Sequence, residues 1–168
     1  MILSEMPYNF ARVHTRSWQS AYRGILSNDY LDALRWEVRF EMWSGRLSNT
    51  QPTSNDLFVA INAEGAVTGF ATIGEVRDDD LVSRKFFELY AIYVDPESWS
   101  RGVGRSLIDA ALMSVPSCIP GVSLWVLADN DRGRRFYERQ GFEHDGMIRI
   151  ERIGDRDLEE VRYIRTGG

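Results

Sequence analysis

The chain is poor in the residues that most readily announce a function. Its 168 residues hold one cysteine, Cys118, so no internal disulfide can form. Cys118 lies between Pro116 and Pro120 in a loop-like stretch with no histidine nearby, which fits a reducing compartment. The two histidines, His14 and His144, have no partner at a diagnostic spacing. No serine elbow and no Cys–His pairing is present, so nothing points to a covalent enzyme intermediate. Converging metal ligands are missing too: Asp78-Asp79-Asp80 reads as a solvated loop or an acidic rim that could draw a cationic amine, and no metal is expected. The formal net charge is −5 with a pI near 5.1, which leaves no generally basic footprint, and no nucleic-acid partner is expected. There is no run of about 18 apolar residues and no basic-then-apolar leader, so no membrane partner is expected and cytoplasm is the expected location. Repeats, low-complexity tracts and linkers are absent. With 43% hydrophobic and 27% charged residues, a disordered chain is excluded and one domain over residues 1–168 is expected.

What is present concentrates between Glu88 and Ile108, E-L-Y-A-I-Y-V-D-P-E-S-W-S-R-G-V-G-R-S-L-I. Leu89 to Val94 is an apolar, aromatic and β-branched run that predicts a buried strand. Asp95-Pro96 stops it, because proline has no N–H for a ladder and turns its predecessor away from helix. Arg101-Gly102-Val103-Gly104-Arg105 follows, then Ser106 to Ser114 with Leu107, Ile108, Ala111 and Leu112 at helical spacing. The first turn of such a helix offers unpaired N–H groups and the positive end of the dipole. Glycines let that backbone approach closely, and arginines add fork-shaped donors. A pyrophosphate-like anion is the expected ligand. It is not held by a P-loop, since no G-x-x-x-x-G-K-[ST] exists, nor by a dinucleotide fingerprint, since Leu107 stands where a third glycine or alanine is needed. A G-x-G alone fits equally well a turn that merely packs a helix on a sheet.

Along the chain, Met1 to Met6 leaves room for only a shortened first strand. From Pro7 the pattern is helical, with Phe10, Val13, His14, Ser17, Trp18 and Ala21 on one face and Gly24 at its end. Ser27-Asn28-Asp29 caps a second helix, and Trp36 to Leu47 continues helically. After a polar loop, Ser48 to Asn55, the strand-like runs Leu57 to Ile61 and Val67 to Val76 flank the hairpin signal Asn62-Ala63-Glu64-Gly65. Gly69 and Gly74 in the second run predict a bend or a close backbone approach. Val122 to Leu127 is a further buried strand. Asn130-Asp131-Arg132-Gly133-Arg134-Arg135-Phe136-Tyr137-Glu138-Arg139-Gln140-Gly141-Phe142 then reads as a helix capped by Asn130 and ended by Gly141. Met147 to Arg152 and Leu158 to Ile164 form a terminal hairpin. The order predicts an α/β fold with a mixed sheet flanked by helices rather than a doubly wound parallel one.

Val94 to Leu107 resembles the acetyl-CoA loop of the GNAT superfamily of N-acetyltransferases, whose pattern is Q/R-x-x-G-x-G/A. Gly102 and Gly104 match, and Trp99 stands at the usual Gln/Arg position. The segment L-W-V-L-A-D-N-D-R-G-R-R-F-Y-E-R-Q-G-F, Leu124 to Phe142, resembles the second signature of that family. R-S-W-Q-S-A-Y-R-G-I-L resembles the first helix and turn of one subgroup. The resemblance implies a GNAT-like fold and acetyl-CoA as co-substrate. It implies that the backbone of Ile92, Tyr93 and Val94 holds the pantetheine arm and orients the carbonyl. Arg101, Gly102, Val103, Gly104, Arg105 and Ser106 are implied to hold the pyrophosphate, and Asn130 to touch the arm. Tyr137 matches the tyrosine that protonates the departing thiolate. Its phenol, with a reference pKa of about 10, stays protonated at neutral pH. Glu88 is the base candidate, acting through water. Trp18 and Tyr22 are implied to face the acceptor, although aromatics at helical spacing also read as core.

The expected activity is acetyl transfer from acetyl-CoA to a primary amine by direct attack. A small-molecule acceptor is favoured because the aromatic helical region can close a pocket. The alternatives are a protein N-terminus or lysine as acceptor and, from another class, a non-catalytic acyl-CoA-binding sensor. A homodimer is expected from the resemblance.

Overall fold

In the computed structural model, residues 6–48 and 55–167 are described, so the expected first-strand stub and most of the loop after Ser48 lie outside the described residues. Strands β1 (Asn55–Ile61), β2 (Val67–Glu75), β3 (Phe87–Val94), β4 (Gly121–Leu127), β5 (Glu143–Ile153) and β6 (Arg156–Thr166) form one sheet in the order β1-β2-β3-β4-β6-β5. Among these six strands only the β3–β4 pair is parallel, as the strand–helix–strand connection between them requires. The expected mixed sheet is therefore present. The first hairpin is closed as its sequence predicts: Asn62 N–H donates to Ala66 O at 2.9 Å, Asn62 O accepts from Gly65 N at 3.0 Å, and Asn62 Oδ1 accepts from Ala66 N at 2.8 Å.

Helices α1 (Met6–Ala21), α2 (Asn28–Ala33), α3 (Trp36–Ser48), α4 (Asp79–Val82), α5 (Val103–Ser114) and α6 (Asp131–Arg139) cover the sheet. On one face, Leu107, Ile108 and Ala111 of α5 pack on Ala71, Ile73, Leu89, Leu124 and Val126. On the other, Phe10 and Val13 of α1 and Trp43 of α3 pack on Val67 and Phe70. Each large apolar side chain so buried contributes about 1.5–3 kcal/mol. The close approach expected at Gly69 is real: a Cβ there would lie 2.8 Å from Tyr93 O and 3.0 Å from Leu107 Cδ1. A glycine at this point lets α5 settle onto the strand pair.

The acidic run departs from its reading as a solvated loop. Asp79–Val82 forms one helical turn that folds back against β6. There Arg162, with 4% of its side chain exposed, pairs with Asp80 (2.7 Å), Asp145 (2.8 Å) and Asp78 (3.3 Å). Two of the run's three carboxylates are thus spent on a buried guanidinium that arrives from far along the chain.

Candidate active site

The site begins as a fault in the sheet. β3 and β4 pair only at Phe87↔Val122 and Glu88↔Ser123. Across β3, Ile73 faces Leu89 while the adjacent Thr72 faces Ala91, which leaves Tyr90 as an extra, bulged residue. Beyond this bulge β3 stays with β2 and leaves β4, opening a seam between the two parallel strands. Asp95 N–H donates to Thr68 O of β2 at 2.8 Å. By the alternation of an antiparallel ladder, Tyr93 turns its backbone groups to β2, and Ile92 and Val94 turn theirs into the seam. Val94 O is already occupied, accepting from Ser17 Oγ at 2.7 Å and Trp99 Nε1 at 2.9 Å. The N–H of Val94 and both backbone groups of Ile92 are what the seam offers to an extended, amide-bearing chain.

The seam widens into a cleft of about 1060 Å³ that runs from the β3–α5 loop to the β5–β6 hairpin. At one end Gly102, with φ +83°, starts α5 and carries no side-chain cap. Ser106 N–H donates to Gly102 O at 2.9 Å, so the free first-turn donors are those of Val103, Gly104 and Arg105. Gly102, Gly104, Arg105 and Trp99 line the cleft, together with Asn130 and Arg132 of the facing helix start. This donor set, a bare helix start carrying Arg105 and faced by Arg132, suits a diphosphate. Arg101 and Ser106 are exposed and do not line the cleft, and Val103 turns its side chain toward Gly69, where an added Cβ would lie 3.3 Å from Val103 Cγ1. Asn130 caps α6 as its sequence predicts, Oδ1 accepting from Gly133 N at 2.9 Å. Trp99 ties the loop to β3 through Val94 and takes the Arg132 guanidinium over its ring at 3.7 Å.

At the middle of the cleft stand Tyr22, Tyr93 and Tyr137. Burial, and then the neighbouring Tyr93, hold the Tyr137 phenol far above its ordinary value, so it is a proton donor at any physiological pH. Its hydroxyl has no hydrogen-bond partner among the described residues. Arg134 fixes α6 beneath it by bonding Ala128 O (3.0 Å) and Tyr163 Oη (3.1 Å), while Tyr163 Oη donates to Glu138 (2.8 Å). Tyr22 is pushed up by burial, with Tyr93, Tyr137 and Glu160 adding to the effect. Tyr93 is pushed up by burial as well, and it stacks on His14 at 4.3 Å.

The far end is the acceptor-side candidate. Trp18 and Tyr22 meet edge to face at 4.9 Å and line the cleft while also packing against the Leu26–Leu31 cluster. Trp125 forms part of the floor, held by Asp78 Oδ2 at 2.9 Å and covered by Arg149 at 4.3 Å.

Glu88 is not among the residues the fold brings together. It is 2% exposed, it does not line the cleft, and both carboxylate oxygens accept from Arg77, whose backbone N–H adds a bond of 3.1 Å. The carboxylate that does face the cleft near the tyrosines is Glu160, which sequence reasoning missed. Arg149 Nε and Nη2 both bond its Oε2, at 2.8 and 2.7 Å, and Oε1 has no hydrogen bond among the described residues. Its only signal in the sequence is alternation, which puts it on the same face of β6 as the buried Leu158 and Arg162.

Comparison with known proteins agrees with this geometry. The family model described as the acetyltransferase (GNAT) family matches residues 14–142. The chain is 31% identical over 154 residues to YuaI, an uncharacterized N-acetyltransferase of Bacillus subtilis (strain 168), covering 91% of this chain and 83% of that one. It is 26% identical over 133 residues to a spermidine N(1)-acetyltransferase of Thermoplasma acidophilum, covering 78% of each. Among solved structures, the PaiA N-acetyltransferase of Thermoplasma acidophilum in complex with coenzyme A superposes with a TM-score of 0.66 at 20% identity, covering 99% of this chain and 96% of that one.

Proposed function

The chain belongs to the acetyltransferase (GNAT) family, and from that premise we propose that it moves the acetyl group of acetyl-CoA to the primary amine of a small molecule. One observation carries the reading: the seam between β3 and β4 brings an open strand edge and the unpartnered, burial-raised hydroxyl of Tyr137 into one cleft. The group supplied by the co-substrate is an acetyl thioester. The first-turn N–H groups of Val103, Gly104 and Arg105, with the side chains of Arg105 and Arg132, suit its diphosphate. The edge at Ile92 and Val94 suits its amide-bearing arm, and an N–H of that edge polarises the carbonyl.

The amine nitrogen bonds to the carbonyl carbon and the carbon–sulfur bond breaks. Glu160 Oε1 takes the proton that the amine sheds, in place of Glu88, whose oxygens are committed to Arg77. Tyr137 gives its proton to the departing sulfur and regains one from solvent. The aromatic wall formed by Trp18 and Tyr22 favours a small acceptor over a protein chain.

Calorimetric titration with acetyl-CoA, with ATP and NAD as controls, tests the co-substrate; a preference for either control would remove the reading. Release of free thiol with a panel of amines and peptides tests the acceptor, and activity confined to peptides would overturn the small-molecule assignment. Tyr137→Phe is expected to keep acetyl-CoA binding while kcat drops by about 10²-fold or more, the range of a lost general acid. Unchanged turnover would remove that role. Acetyl-CoA binding with no turnover of any amine would favour a sensor.

A further inference from the structure

The acceptor half of the cleft divides its charge between two opposed walls. On the helical wall, Arg39 of α3 is half-buried and lines the cleft, its guanidinium 5.0 Å from the centre of the Trp18 ring. Among the described residues it has no carboxylate within ion-pair distance and no hydrogen bond. The two arginines of the sheet wall differ: Arg149 is bonded to Glu160 at 2.7 Å and Arg152 to Asp157 at 2.9 Å. On the sheet wall, Glu160 presents the oxygen that Arg149 leaves free. The Tyr93 phenol, raised chiefly by burial and lowered in part by Trp18, also feels both charges, Arg39 lowering its pKa and Glu160 raising it.

We propose that the acceptor is a zwitterion, a primary amine that also carries a carboxylate or similar oxyanion, as an amino acid does; this rests on the transferase reading above. The anion is gripped by the fork of Arg39, and the amine lies at Glu160 beside the tyrosines. The chemistry of the two walls selects this class. A half-buried guanidinium without a partner has lost part of its hydration and gained no counter-ion, and a carboxylate restores both. Trp18 occupies one face of the planar group and leaves its N–H edge free for a two-point contact. A polyamine would instead bring a second cation against Arg39, which disfavours it. The Asp78–Asp80 run is also a weaker lure for polycations than its composition suggests, because two of its three carboxylates bond Arg162.

The test is a comparison of matched pairs that differ by one carboxylate. Lysine is set against cadaverine, arginine against agmatine, tyrosine against tyramine and histidine against histamine, with spermidine alongside; kcat/KM is read from thiol release with acetyl-CoA. In the pair with the best substrate, the acid-bearing member is expected to lead by about tenfold or more, the difference lying in KM, as for a charged hydrogen-bonded contact. Arg39→Gln is expected to collapse that ratio toward one and Arg39→Lys, which keeps the charge and loses the fork, to leave it intermediate. Calorimetric binding of the preferred amino acid to the CoA-saturated protein is expected to weaken in the same order, and thermal melts establish that each variant is folded. If the decarboxylated partners or spermidine lead throughout, or if Arg39→Gln leaves the ratio intact, the zwitterion assignment is overturned. If acetyl-CoA binds and no amine of either kind is acetylated, the transferase reading falls first and this one falls with it.

Discussion

Arg162→Met puts the buried charge cluster of β6 to the test. In the wild type one guanidinium with 4% of its side chain exposed serves Asp78 and Asp145, at 17% and 14%, and the half-exposed Asp80. Methionine fills a similar volume but leaves two largely buried carboxylates without a counter-charge. Removing one partner of a buried pair costs about 3–5 kcal/mol, whereas the exposed Asp80 adds only about 0–1 kcal/mol. At about 2–4 °C per kcal/mol for a chain of this size, the melting temperature is expected to fall by on the order of 10 °C at pH 7.5. The pH dependence carries the sharper test. Arg162, first by its hydrogen bond and then by its charge, holds the Asp80 carboxyl below its usual range. Stability from such a carboxylate is present above the unfolded value of about 3.9 and is lost as pH falls through the depressed folded value. In the variant this gain is absent at neutral pH, so the gap between the two proteins narrows as acid protonates the abandoned carboxylates. Urea unfolding at pH 7.5 and pH 3.5 measures both gaps. A loss under about 1 kcal/mol at pH 7.5, or the same loss at both pH values, would refute the reasoning.

Two further outcomes are expected. Glu88→Gln should lower the unfolding free energy by about 1–3 kcal/mol through the lost charge of its Arg77 pair, while kcat for the best amine stays within about twofold; steady-state kinetics showing a hundredfold loss would return Glu88 to the chemistry. His14, whose pKa is held down to about 3 by burial and then by Arg39, is neutral in the folded protein. The unfolded chain binds its proton below about pH 6.5, so stability falls as pH drops from there toward 3, by at most about 1.4 kcal/mol per unit from this group. His14→Gln should flatten that slope in urea titrations between pH 7 and 4.5, and equal slopes in the two proteins would remove His14 as the cause.

Local signals carried most of the fold. The strand runs and helical faces come from periods of two and 3.6, and Asn62–Gly65, Asn130 and Gly102 act within a few residues of themselves, so their chemistry is visible in a short window. The site was legible only where it is local in the same sense: the glycine loop, the α6 segment and the run that becomes β3. Its charged members were not. Glu88, Glu160, Arg39 and Arg162 look alike in a sequence, because what decides between a solvated charge, a buried pair and a cleft wall is a partner many residues away. Arg77 reaches Glu88 across the β2–β3 turn, and Arg162 finds Asp80 only after the whole β4–α6–β5 segment has folded between them. The bulge at Tyr90 was hidden for a related reason, since an extra residue is defined only against the register of its neighbour.

The parting of β3 from β4 also governs how the protein holds itself together. Among the described residues, two half-sheets, β1–β3 and β4–β6, are in register only at the Phe87↔Val122 and Glu88↔Ser123 pairs, with α5 laid over the junction. Along the rest of that line the backbone hydrogen bonds that would rivet the halves are supplied by whatever lies in the gap. On the proposed function, a co-substrate threaded there would act as the missing strand, so catalytic readiness and mechanical cohesion would rise together. Amides on both banks, Tyr90 to Val94 and Trp125 to Leu127, should exchange with solvent more slowly once it is bound, with the melting temperature climbing as its concentration passes its Kd.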